Sequence, residues 1–315
     1  MSLGRYVLTR VLVTVPVLLG VTALTFSFLH VLPGDPIDVI VGFRTVSPAT
    51  EASIRAEYHL DEPLWKQYLL WLRDAIALEF GRSPISGRSV TATIGRRLPA
   101  TVALGGAAWL LALAIGVPAG IVAAVKRGEP ADELTRLGAL AGIATPNFWL
   151  GLILLLVFSV RLGWFRVIPP DAPLASLAMA KFMILPTITL GTASAALVTR
   201  LLRSSMRQEL DAPYVRTARA KGLRERTVIL KHVLRNSLLP VVTVAGLQLA
   251  FLVDGAVVVE QIFSWPGMGR LLVRSILQRD YPVIQAAVLV IGVSIVLANL
   301  LVDIVYALLD PRIRY

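Results

Sequence analysis

Cysteine is absent and histidine nearly so, with three among 315 residues. The first absence excludes disulfides, thiolate nucleophiles and Cys-based metal sites. The histidines, His30, His59 and His232, are scattered, and no H-E-x-x-H pair exists to hold zinc. There is no G-x-x-x-x-G-K-[ST] phosphate loop and no G-x-S-x-G elbow, so neither ATP hydrolysis by this chain nor serine-hydrolase chemistry is expected. Charge is scarce too: 16% of residues are charged against 56% hydrophobic, and the mean hydropathy is +0.72. A soluble domain is more polar than this, and the composition places the chain among integral membrane proteins.

Six apolar runs are long enough to cross a hydrocarbon core, which takes roughly 20 helical residues. They are Val11–Leu29, Thr101–Val125, Leu137–Val160, Phe182–Thr199, Ser237–Val259 and Tyr281–Val302. The predicted fold class is an all-α polytopic membrane protein with six transmembrane helices. No small-x-small cleavage site follows the first run, which is expected to be retained. Lys and Arg collect on the cytoplasmic side of short loops. With both termini cytoplasmic, 17 of the 31 basic residues lie inside, six lie in two short outer loops, and eight lie in the long outer region before the second span. The net charge of +11 therefore reads as topology. Without aromatic interleaving it does not point to nucleic acid.

The expected division is 1–30, a cytoplasmic N-terminus and first span; 31–99, an extracytoplasmic helical region; and 100–315, a core of five spans with a cytoplasmic loop at 200–236. In the outer region Ser47-Pro48 opens one helix, and a second after Asp61 gathers Leu64, Trp65, Tyr68, Leu69, Trp71, Leu72 and Ile76 mostly on one face. That stripe suits packing on the bundle, with the membrane interface as the other reading. Gly105-Gly106, Gly116 with Gly120, Gly138 with Gly142, and Gly191 predict close helix packing. Prolines 118, 146, 186 and 240 predict kinks or span ends.

The loop from Arg200 to Asn236 carries ten basic residues against three acids and cannot sit in lipid. Asp211 before Pro213 predicts a helix start and Gly222 its stop, with a second helical stretch over Glu225–Asn236. A short basic helix presented to something soluble fits, and so does a charge run that only sets topology. For Arg200, Arg203 and Arg207, nearest the membrane, anionic lipid headgroups are an equal alternative. Polar groups within the spans are costly in lipid and face a cavity or a partner. The candidates for a translocation path are Asn147, Gln248, Asp254, Glu260, Asn299 and Asp303. Proline-linked backbone bonding for Asn147, and solvation at the membrane interfaces for Glu260 and Asp303, are the alternatives.

The run Tyr214-Val215-Arg216-Thr217-Ala218-Arg219-Ala220-Lys221-Gly222-Leu223 resembles the cytoplasmic loop of binding-protein-dependent ABC importer permeases, namely the first of the two permease subunits in the dipeptide, oligopeptide and nickel group. Further matches follow in order along nearly the whole chain: Leu32-Pro33-Gly34-Asp35-Pro36, Arg97-Leu98-Pro99-Ala100-Thr101, Pro146 with Phe148-Trp149-Leu150-Gly151, Phe263-Ser264-Trp265-Pro266-Gly267, Arg279-Asp280-Tyr281-Pro282, and Asn299 through Arg314. The general importer loop reads Glu-Ala-Ala, three residues, Gly, nine residues, Ile-x-Leu-Pro. Ala218, Gly222 and Leu234 agree with it. Arg216 replaces the Glu, Thr217 the first Ala, His232 the Ile and Arg235 the Pro, which resembles the peptide-permease variant.

The resemblance implies a type I ABC importer permease fold and no enzyme activity in this chain, with ATP and Mg held by partner subunits and no cofactor or metal here. It implies a second permease chain, two cytoplasmic ATPase subunits and an extracytoplasmic binding protein that meets residues 31–99 and the loop around Trp265 to Arg279. Tyr214, Val215, Arg216, Ala218, Arg219, Lys221 and Gly222 would couple to the ATPase, with Arg216, Arg219 and Lys221 as polar contacts and Tyr214, Val215 and Ala218 as the packing face. The substrate would be a peptide, or a nickel complex or glutathione. A self-sufficient carrier or channel and an intramembrane enzyme are the rivals from other classes. The first would need no ATPase neighbour, and the second would need paired polar groups at one depth.

Overall fold

The computed structural model describes residues 3–31, 37, 47–57 and 59–309, and among them helices dominate, with one isolated bridge pairing Arg82 and Ser89. The order is α1 Leu3–Val31, α2 Pro48–Glu57, α3 Leu64–Ile76, α4 Val90–Val125, α5 Pro130–Ala144, α6 Asn147–Leu154, α7 Leu177–Leu210, α8 Pro213–Ala220, α9 Leu234–Ile262, α10 Met268–Gln278 and α11 Tyr281–Leu309. The expected Leu32–Pro36 motif and the stretch from Asp310 to Arg314 lie outside the described residues. Five helices are long and apolar enough to cross a membrane, and six if the bent pair α5–α6 counts as one.

Each spanning helix outruns its apolar sequence. α4 begins eleven residues before Thr101, and α7 continues past Thr199 to Leu210, carrying Arg200, Arg203 and Arg207 on unbroken helix. Once a helix is nucleated each further residue gains a hydrogen bond, so polar extensions propagate out of the apolar region. The third span departs most from expectation, because α5 and α6 meet at a 102° bend. Pro146 excludes its predecessor from the α region, and Thr145 duly has φ −82° and ψ 119°. Prolines 118, 186 and 240 lie within continuous helices and end no span.

Two compact units emerge. The larger combines 102–264 with the two chain ends, and the smaller combines 4–101 with 265–300. This regroups the expected linear division: residues 265–300 belong with the N-terminal hundred because Val90 and Ile94 share a buried core with Met268, Val283, Ala286 and Ala287. Within that smaller unit Trp265, fully buried, donates its indole N–H to the Ala100 carbonyl at 2.9 Å, and the Met268 amide reaches Thr101 Oγ1 at 2.7 Å. Tyr68 and Trp71 of α3 pack on Phe26, with ring centroids 5.4 and 5.8 Å away. Trp65, Leu69 and Ile76 of the same helix stay exposed, so the expected stripe divides between packing and surface.

In the larger unit α7 is the central helix, packed by α4, α5, α6 and α9. Small residues permit the approach. A Cβ added at Gly116 would meet Ala195 O and Val198 at 2.8 Å, whereas one at Gly138 would meet nothing within 4 Å. Gly116→Ala is therefore expected to lower stability by about 1–3 kcal/mol through overpacking. Gly138→Ala is expected to be neutral or slightly stabilising. Thermal unfolding of the detergent-solubilised chain reads both, and equal behaviour of the two variants would contradict this packing.

Candidate functional site

The basic segment folds into one compact constellation in the larger unit. α7 stops at Leu210, and Pro213 occupies the first turn of α8, where its missing N–H costs nothing. The N-cap position falls on Ala212; Asp211 caps the end of α7 instead. Gly222 follows Lys221 with φ +76°. That left-handed conformation strains any residue with a Cβ, although a Cβ itself would meet nothing within 4 Å. The expected second helix is present with a defect: Glu225–Thr227 leads into a π-helical turn, Val228–Val233, before α9 begins.

α8 is amphipathic on the scale of two turns. Val215 and Ala218, three apart, are buried at 0% and 9% exposure among Val198, Leu202, Met206, Val228 and Val233. This corrects the expected packing face, since these two side chains face the chain's own core and are closed to a partner. Burying Val215 contributes about 1.5–3 kcal/mol, enough to seat a helix too short to be stable alone. Tyr214 is also committed internally. Its hydroxyl donates to Glu209 at the end of α7 and accepts from Asn236 Nδ2 of α9 at 3.1 Å. Burial, then the Glu209 carboxylate, raises its pKa. Arg219 forks onto Glu225 at 2.7 and 3.1 Å, bridging the Gly222 turn, and that hydrogen bonding raises its pKa further. Arg216, Thr217, Ala220 and Lys221 complete the exposed surface.

Between α7 and the first turn of α5 lies a contact that sequence reasoning missed. Arg203 of α7 donates from Nε to Asp132 Oδ1 at 2.6 Å and from Nη2 to Oδ2 at 2.9 Å. Asp132, 4% exposed, also accepts the Gly128 amide at 3.2 Å. Arg203 is thus a structural cation rather than a lipid-facing one, whereas Arg200 is exposed. The available signal was an acid in the first turn after Pro130, within an otherwise basic stretch.

The described translocation candidates differ in their surroundings. Asn147 opens α6, half-buried beside the Pro146 break. Gln248 is half-buried on α9, and its Oε1 is enclosed without a hydrogen-bond partner. Glu260 has 0% exposure, which removes it from any open lining and from the expected place in interfacial water. Asp303 is half-buried and Asn299 exposed on α11. The side chain of Asp254 lies outside the described residues.

In the smaller unit Asp280 precedes α11 and is 4% exposed. Its Oδ2 accepts the Ser83 hydroxyl at 2.5 Å, fastening the 81–90 loop, while Oδ1 is buried with no partner. Burial raises its pKa, opposed by the hydrogen bonds from Ser83 and the Val283 amide. Among the described residues no group of His, Cys, Asp and Glu could hold a metal.

Residues 116–315 match the family profile described as "Binding-protein-dependent transport system inner membrane component", and residues 3–105 match its N-terminal companion. The chain belongs to this family. It is 40% identical over 335 residues to the dipeptide transport system permease protein DppB of Escherichia coli K12, and 44% identical over 311 residues to the glutathione transport system permease protein GsiC of the same strain. Each alignment covers 99% of both chains. Among solved structures the inward-facing MetNI methionine ABC transporter superposes with a TM-score of 0.56 at 17% identity, covering 69% of this chain and 96% of that one. An amino acid ABC transporter gives 0.54 at 14% identity. The fold is therefore that of an ABC importer permease, and the chain is a multi-pass transport component of the bacterial inner membrane.

Two stability experiments follow. Asp132→Ala leaves the part-buried Arg203 guanidinium without this partner and is expected to cost about 1–3 kcal/mol in denaturant unfolding; an unchanged stability would show that the pair does not form as described. For Asp280 the folded-state pKa is raised, so its contribution to stability declines as pH rises from the unfolded carboxyl value, about 4, toward the raised one. Asp280→Asn is expected to flatten that slope in thermal unfolding, and an unchanged slope would refute the assignment.

Proposed function

We propose that this permease is the first of two related membrane subunits in an ATP-driven importer of small peptides, with dipeptides and glutathione as the substrate class. The second permease, two cytoplasmic ATPases and an extracytoplasmic solute-binding protein complete it. The chain binds no cofactor of its own, and ATP and Mg belong to the ATPases. The peptide class is supported by the names of two relatives aligned over 99% of their length; no observation favours a nickel complex.

One observation carries the mechanism: α8 is a short helix whose inner face is sealed into the chain and whose outer face is basic. On the cytoplasmic side, that outer face docks on an ATPase through Arg216 and Lys221. Val215 and Ala218 hold the lever, Tyr214 joins it to α7 and α9, and Gly222 with the Arg219–Glu225 fork sets its far end. A push on α8 is delivered to α7 and α9 together, because packed interiors transmit displacement. Alternating access results only if the docked contacts differ between nucleotide states. Along the path Gln248 is the strongest polar candidate, since an enclosed carbonyl oxygen without a donor accepts one from a passing amide or ammonium. Asn147, at the α5–α6 break, is the next.

The test is Arg216→Glu with Lys221→Glu in the transporter assembled with its partners. ATP-dependent peptide uptake is expected to fall about 5- to 150-fold, the range of a typical coupling free energy, with the chain still inserted at wild-type level. Gly222→Val is expected to fall similarly and Gly222→Asn to retain most uptake, since Asn tolerates positive φ. Uphill uptake by this chain alone in vesicles, without ATP, would overturn the reading.

A further inference from the structure

In the larger unit a groove of about 210 Å³ runs between residues 135–143 of α5 and 199–203 of α7. The two helices are antiparallel and tied at both ends of it. At one end Gly142 lies so near α7 that an added Cβ would stand 3.0 Å from Ala196 Cβ. At the other, about 15 Å away along α5 at 1.5 Å per residue, the Arg203–Asp132 fork joins them. Leu137, Leu140 and Ile143, each three residues from the next, form an exposed apolar stripe in the lining.

Most polar groups of the groove are already committed. The hydroxyls of Thr135 and Thr199 donate to the Ala131 and Ala195 carbonyls of their own helices at 2.7 and 2.8 Å, and Arg203 is held by Asp132. Two arginines keep capacity to spare. Arg136 makes an exposed bridge to Glu133 at 3.3 Å, a kind of pair that contributes little and exchanges readily. Arg200 is exposed and makes no ion pair among the described residues. Arg136 immediately precedes the third apolar run of the sequence and Arg200 immediately follows the fourth, so both stand at the same edge of the hydrocarbon layer.

We infer that this groove binds an anionic phospholipid of the inner leaflet, its phosphate taken by Arg200 and Arg136 and an acyl chain lying along Leu137, Leu140 and Ile143. The charge asymmetry of the loops puts this edge on the cytoplasmic side, where anionic lipids give the membrane surface its negative potential. Planar guanidinium groups match phosphate oxygens in bidentate fashion. The volume is below the roughly 300–1,000 Å³ of sites that enclose whole small molecules, so the occupant inserts one part of itself and leaves the rest outside, as a lipid does. A soluble anion would use the arginines and leave the apolar stripe without a role. A helix of another subunit would cover the stripe, but enclosing Arg200 would then require an acid at that depth, where the leaflet already supplies phosphate. The site is independent of what the importer carries. It also bears on α7 where that helix leaves the membrane toward α8, so bound lipid would brace the same two helices that the Arg203–Asp132 fork joins.

The experiment titrates phosphatidylglycerol or phosphatidylcholine into the delipidated transporter, assembled with its partners in detergent, and reads bound lipid by native mass spectrometry. Phosphatidylglycerol is expected to bind the more tightly, and Arg136→Gln with Arg200→Gln to weaken it about tenfold or more while leaving the thermal unfolding of the lipid-free protein unchanged. Ala139→Trp, which fills the groove and keeps both charges, is expected to weaken binding of both lipids. Arg226→Gln, which removes an exposed cation elsewhere in the cytoplasmic loop, is expected to change nothing. Equal affinity for the two lipids, equal weakening by Arg226→Gln, or undiminished binding to Ala139→Trp would overturn the site. Displacement of phosphatidylglycerol by millimolar inorganic phosphate would show a site for free anions and overturn it too. Because the chain has no cysteine, Leu140→Cys can carry a photoreactive label in native membranes. Adducts with phospholipid are expected, and a cross-link to the second permease in their place would make the groove a subunit interface and overturn the inference.

Discussion

The burial of Val215 and Ala218 against the C-terminal part of α7 and the π turn before α9 is the contact on which the proposed functional geometry depends. An eight-residue polar helix has no stability of its own in water. Its position comes from two small side chains sealed beneath it, and its direction from Tyr214, which holds Glu209 on one side and Asn236 on the other. Because the sealed face uses the apolar side chains, what remains outward is almost wholly polar. The division suits the lever proposed above, held to its own chain on one face and polar on the other.

That lever would be idle on a soft support. α7 lies against α4 through Gly116 and Gly191, each so close that an added Cβ would stand 2.8 Å from a backbone carbonyl of the other helix. In lipid no hydrophobic effect pulls apolar helices together, so such close approach, with the dispersion contacts it gathers, supplies the cohesion. The Arg203–Asp132 fork adds a second fixture where α7 leaves its apolar stretch. An ion pair in that position is worth little as net stability, but it strongly disfavours any arrangement that separates its members. The support therefore has one preferred geometry from α5 through α8.

The smaller unit follows a different logic. There Trp265, Thr101 and Asp280 join segments far apart in sequence by single hydrogen bonds to backbone or hydroxyl. Such bonds specify position more than they add free energy. They bring residues of the 81–90 loop, α4 and α10 to the lining of one cleft.

Much of this was legible in the residues. Run length predicted the spans because lipid thickness sets a minimum helix length, and Pro213 and Gly222 marked the ends of α8 because ring closure and positive φ constrain the backbone locally. The order of short motifs identified the family before any geometry was known. What the chain order could not decide was contact between distant segments. Nothing local pairs Arg203 with Asp132, 71 positions away, sends Val215 inward rather than toward a partner, or assigns 265–300 to the unit of the first hundred residues. Local conformation is dictated by covalent and solvation constraints acting within a few residues. Which faces meet depends on packing of the whole fold, and only the tertiary structure resolves it.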